Sequence, residues 1–144
     1  MYKYKATLDK IRDVLINYEP SLEAMCDLAT CLLTQTLSNI EIIVGEVHMN
    51  KRINHVWAYD TKEKYYIDIT SEQFGFPPCL CFKSLKKFED LGYTVSSNFH
   101  AWNEVFHHCE TLTQGPVIYH EEKEITMKQL LSEITKKPKR WFWN

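Results

Sequence analysis

The chain has 144 residues, with 17 Lys and Arg against 19 Asp and Glu, a formal net charge of −2 at pH 7. Hydrophobic residues make up 44% and charged residues 25%, which excludes a disordered chain and a disulfide-dense miniprotein. Near-neutral charge argues against nucleic-acid binding by bulk electrostatics.

A single domain over residues 1–144 is expected. At this length it buries roughly 68–70% of its unfolded surface, enough for a core without disulfides or a structural metal, and no cofactor is expected. No apolar run approaches the roughly 20 residues of a bilayer-spanning helix. The opening Met1-Tyr2-Lys3-Tyr4-Lys5 lacks the apolar stretch of a secretory signal, so a cytoplasmic location is expected. Five cysteines cannot all pair within one chain; reduced thiols are expected, with at least one reactive.

In chain order, Leu8, Ile11, Val14, Leu15 and Tyr18 recur at helical spacing over residues 7–18. Glu19-Pro20-Ser21 breaks that helix, and Ser21 is a suitable cap for a second one over about 22–37. Its broad apolar face, with Met25, Leu28, Ala29, Leu32 and Leu33, makes it the central helix. Residues 41–47, 54–59 and 64–70 are β-rich, the last two forming a hairpin. Beyond Phe74-Gly75-Phe76-Pro77-Pro78 the signals weaken to a helix over about 97–109 and a strand over 117–119. The run Glu121-Glu122-Lys123-Glu124 reads as a solvated turn. Thr126 and Gln129 then form a capping box before a helix with Met127, Leu130, Leu131 and Ile134 inward. The class is α+β: N-terminal helices packed on an antiparallel sheet, with a C-terminal helix.

The hairpin carries the first chemical signal. A two-residue turn at Thr61-Lys62, or a four-residue loop with the same centre, would set Asp60 level with Glu63, and therefore His55 opposite Asp68. Opposed Cβ atoms lie roughly 4.5–5.5 Å apart, within reach of an imidazole–carboxylate hydrogen bond. A histidine oriented by an acid is the base half of a nucleophilic triad. Cys26, near the start of the central helix, is the candidate nucleophile, because helix N-termini and a neighbouring imidazolium favour thiolates. Cys31 lies a turn and a half further on and reads as a small core residue.

The segments Cys26-Asp27-Leu28-Ala29-Thr30, Asn54-His55-Val56-Trp57 and Tyr66-Ile67-Asp68-Ile69-Thr70 with Gln73-Phe74 together resemble the transglutaminase-like branch of the papain-fold cysteine enzymes. The pattern is similar to that of bacterial and phage proteins in a group that includes lasso-peptide leader peptidases and protein-glutamine deamidases. The resemblance covers about residues 20–76. It implies Cys26 as nucleophile, His55 as general base and then acid, and Asp68 as the residue orienting the imidazole. It also implies an oxyanion site at the Cys26 N–H and a protein or peptide substrate. Asp27 stands where transglutaminases proper commonly have Trp, which weakens a cross-linking assignment, and hydrolysis ranks first because no feature suggests a dedicated amine site. Glu23-Ala24-Met25 replaces the glycine-containing approach of many relatives. The alternatives are transglutaminase-type acyl transfer and an inert binding or inhibitor module on the same fold. Delivery into a host cell as an effector is a second possibility for location.

Other signals have blander readings. Trp57 is expected to shield the His55–Asp68 bond, and Gln73 to anchor the strand exit. Cys79-Leu80-Cys81 and His107-His108-Cys109 lack zinc-knuckle spacing, so no metal is expected. The basic and aromatic ending over Lys136–Trp143 reads as a segment docking on its own domain, with membrane or nucleic-acid contact as the alternative.

Overall fold

The computed structural model describes residues 1–136, and the basic–aromatic ending beyond Lys136 lies outside the described residues. The described chain is α+β, with five α-helices, a five-stranded antiparallel sheet and a separate two-stranded hairpin. No helix among the described residues is long and apolar enough to cross a membrane.

Helix α1 (Lys5–Tyr18) buries Leu8, Ile11, Val14 and Leu15, the stripe its spacing dictates. Helix α2 (Cys26–Thr36) begins later than the apolar pattern implies. Leu22 and Ala24 adopt left-handed backbone, with φ of 57° and 61°, which interrupts any helix before Cys26. The Leu22 side chain is nevertheless buried, so the loop is pinned from beneath. Ser21 caps a turn rather than the helix, its Oγ accepting from the Glu23 N–H at 3.2 Å.

The sheet runs β4-β3-β2-β1-β5. Its centre is β1 (Ile40–His48) against β2 (Arg52–Asp60), with Gly45 directly opposite His55. Strand β3 (Tyr65–Asp68) pairs with β2 in a register two residues from the expected one: Asp60 faces Tyr65, and Ala58 faces Ile67. The turn chemistry explains the shift. Asp60 Oδ1 accepts from the N–H groups of Lys62 and Glu63, and Lys64 takes a left-handed φ of 61°. This makes a four-residue loop over residues 61–64 in place of the unfavourable Thr-Lys two-residue turn. A displacement of two keeps every side chain on its face, so His55 and Asp68 become diagonal rather than direct neighbours.

Three elements lie where the sequence signal fades: β4 (Leu80–Phe82), α3 (Leu85–Asp90) and β5 (Tyr93–Val95). They are short, yet Leu80, Phe88 and Tyr93 are buried and build a second core with Ile43, Val47 and Trp57. Burying each such side chain is worth about 1.5–3 kcal/mol. The main core, on the other sheet face, joins α1 and α2 to Ala58, Ile67 and Ile69. Gly45 lets β5 and Trp57 close over β1: a Cβ there would lie 2.0 Å from the Thr94 carbonyl oxygen and 2.6 Å from the Trp57 ring.

Helix α4 (Phe99–Leu112) follows, and none of its residues is fully buried. The hairpin β6 (Pro116–His120) with β7 (Lys123–Thr126) succeeds it, so the acidic run is only half turn; its second half is strand. Helix α5 (Met127–Thr135) opens on the complete Thr126–Gln129 capping box and buries Met127, Leu130 and Ile134.

Cys31 and Cys109 form a disulfide that joins α2 to α4, with Cα atoms 6.2 Å apart. This corrects the expectation of reduced thiols throughout and of Cys31 as a simple core residue. The spacing of 78 residues hides the pairing in the sequence. Cys26, Cys79 and Cys81 are free.

Candidate active site

His55 leaves β2 at its centre and Asp68 ends β3, each about 2% exposed. The His55 Nε2–H donates to Asp68 Oδ2 at 2.7 Å. The carboxylate is fully engaged. Oδ1 accepts from the Thr70 N–H at 2.9 Å and the Thr70 hydroxyl at 3.1 Å, and Oδ2 also accepts from the Tyr93 hydroxyl at 2.5 Å. Around the imidazole stand Trp57, stacked at 6.1 Å between centroids, Phe74 edge-on at 4.8 Å and Tyr93 at 5.9 Å. Water is kept from the pair, so each hydrogen bond counts for more than it would at the surface.

The electrostatics follow from that enclosure. Burial alone would lower His55, but the Asp68 charge and hydrogen bond, with a smaller contribution from Cys26, push the imidazole up to about 10. Burial alone would raise Asp68; the His55 charge, with hydrogen bonds from His55, Tyr93 and the Thr70 N–H, holds it below its ordinary value. The pair is therefore ionised at neutral pH. Tyr93 is driven upward by burial and by the Asp68 carboxylate, so it donates and never competes for the charge.

Cys26 is the first residue of α2, where its N–H has no intrahelical acceptor. The thiol is half-buried and within interaction range of His55. It also contacts Asp27 Oδ1 at 3.4 Å, and Asp27 Oδ2 bonds His108 Nδ1 of α4 at 2.6 Å. Two clefts meet at this point, and Cys26 and His55 line both. One, about 400 Å³, is walled by Glu46 of β1 and by His100 and Glu104 of α4. The other, about 730 Å³, is bordered by Ser21, Glu23, Glu72 and Gln73.

The remaining cysteines are differently placed. Burial pushes the Cys79 thiol up to about 12 and Cys81 up to about 11, values at which neither is a nucleophile near neutral pH. His107 and His108 are exposed on α4 and do not converge with Cys79 and Cys81. Among the described residues, no three His, Cys, Asp or Glu side chains are grouped to hold a metal ion. Gln73 donates its side-chain amide to the Thr70 carbonyl at 3.0 Å, tying down the turn after β3.

Sequence reading missed Tyr93 and the α4 tether. In a flat sheet β3 and β5, three strand spacings apart, would lie roughly 14 Å from each other. The Tyr93–Asp68 bond closes only because the sheet is curled, which no local pattern encodes. Asp27, noticed only as a departure from a family pattern, joins the Cys31–Cys109 disulfide in fastening α4 beside the thiol.

Comparison with protein-family models, with curated proteins and with solved structures finds no match to this chain.

Proposed function

We propose that the chain is a cysteine-dependent amide hydrolase acting on a protein or peptide, built on the core that the transglutaminase-like and papain-fold enzymes share. The observation that carries this reading is the enclosed His55–Asp68 ion pair, with a half-exposed thiol at a helix start beside it and open to two clefts. The Cys26 thiolate attacks the carbonyl carbon, and the negative oxygen that develops is met by the Cys26 N–H. His55, protonated at neutral pH, gives its proton to the departing nitrogen, which leaves a thioester on Cys26. The imidazole, now neutral, takes a proton from water as it attacks the thioester, and the thiolate departs with the acid product. Asp68 holds the Nε2–H throughout, so the other ring nitrogen is the one that exchanges protons.

Clefts on both sides of Cys26 favour a substrate that continues past the reacting bond, which suits a peptide bond or a glutamine side chain within a chain. The binding-module reading draws on the Cys26–Asp27 contact, which engages the thiol without His55. Incubation of cell lysate with wild type or Cys26→Ala separates the readings. Mass spectrometry is expected to find new peptide termini or deamidated glutamines that require Cys26. Identical lysates, with a Cys26→Ala protein that keeps its biological effect, would leave the binding module in its place.

A further inference from the structure

We propose that Tyr93 is a positioning residue of this site, its hydroxyl holding the Asp68 carboxylate in place and limiting how strongly that carboxylate grips the His55 imidazolium. The inference deepens the hydrolase reading and rests on it for its catalytic meaning, but its geometry stands alone. Tyr93 is fully buried and donates to Oδ2, the same oxygen that His55 Nε2 uses. Two donors on one oxygen divide its charge. The imidazolium is then held firmly enough to stay oriented, and loosely enough to release its proton to a leaving group.

The neighbourhood is defined on every side. His55 approaches Asp68 from β2, Tyr93 from β5 and Thr70 from the turn after β3. Cys26, on α2, acts on His55, and Cys79, just before β4, is near enough for Asp68 to act on its thiol. Among the described residues, only Tyr93 and Thr70 supply neutral side-chain donors to the carboxylate. Thr70 serves Oδ1, so none of the described residues substitutes for Tyr93 at Oδ2. The ring itself packs edge-on against Phe88 at 5.0 Å and Trp57 at 5.2 Å, contacts that a phenylalanine would retain.

Tyr93→Phe therefore removes a hydrogen bond while keeping the packing. The carboxylate becomes more basic toward its remaining partner, and His55 is expected to titrate higher by about half a unit to one unit, roughly three- to tenfold in proton affinity. The experiment is an imidazole nitrogen NMR titration of His55 in wild type and Tyr93→Phe, with thermal unfolding as a check on the fold. An upward shift in a folded variant supports the assignment; a folded variant with an unmoved titration overturns it and leaves Tyr93 as packing. Should Tyr93→Phe not fold, the wild type answers alone. A slowly exchanging Tyr93 hydroxyl proton is expected there, and a freely exchanging one contradicts the bond. These readings need no substrate. Cys26 inert toward alkylation with a shifted His55 would remove the hydrolase reading only, and a reactive Cys26 with an unmoved His55 would remove the role of Tyr93 only.

Discussion

His55 and Asp68 stand on neighbouring strands, buried under aromatic rings, with each carboxylate oxygen bound by two donors. Cys26, by contrast, follows a loop with two left-handed non-glycine residues and sits beside α4, a helix with no fully buried side chain. The first half of the site is held by the sheet and its second core. In the second half α2 itself is anchored in the main core, but the loop before Cys26 and the α4 wall beside it are held by a handful of tethers: buried Leu22, the Asp27–His108 pair and the Cys31–Cys109 disulfide. Loss of a group in the sheet half should therefore cost stability and chemistry together. Loss of a tether should act mainly on where the thiol and the cleft wall lie.

The largest effect belongs to the sheet half. Asp68→Ala leaves His55 buried with no counter-charge and is expected to destabilise the fold by about 3–5 kcal/mol, read by chemical denaturation. Any Cys26-dependent activity should fall by roughly 10³–10⁴. A variant as stable as the wild type would mean that the pair is not the anchor of this region.

Next comes the principal tether. Cys109→Ser opens a link across 78 residues and is expected to cost about 2–4 kcal/mol in non-reducing denaturation. His55 should titrate as before, since α4 makes no contact with Asp68 in its hydrogen-bonding shell. A large change in His55 would erase the distinction between the two halves.

Ionisation gives a test of the sheet half without mutation. His55 is raised from 6.5 to about 10 on folding, so its contribution to stability is complete below pH 6.5 and is lost as pH rises toward 10. Asp68 is lowered, so its contribution is present above the ordinary carboxylate range and is lost in acid. The melting temperature is expected to fall between pH 7 and 10 in the wild type, and by less in His55→Ala. Equal declines in both would assign the alkaline loss to other groups.

The smallest effect is expected at Ala24. Its φ of 61° is one that glycine adopts freely, so Ala24→Gly should change stability by no more than about 1 kcal/mol. Relaxing the loop should nonetheless slow alkylation of Cys26. An unchanged rate would show that the loop does not aim the thiol.

The same contrast explains what the sequence could reveal. Helical spacing exposed α1, the Thr126–Gln129 box exposed α5, and β-rich composition exposed β1 to β3, because each signal is local. The His55–Asp68 partnership was legible although the turn was misjudged, since a two-residue shift preserves the face. The start of α2 was hidden by Leu22, an apolar residue that extends the helical pattern while its backbone is left-handed. Tyr93 and the Cys31–Cys109 bond depend on sheet curl and on contacts distant in sequence, which no window of residues contains.

The central claim is that Cys26 is a nucleophile prepared by His55, and rates of iodoacetamide labelling at each cysteine test it most directly. Cys26 is expected to label faster than a model thiol and faster than Cys79 or Cys81, with the advantage lost in His55→Ala. A Cys26 that labels no faster than a model thiol, or whose rate is indifferent to His55, would contradict it.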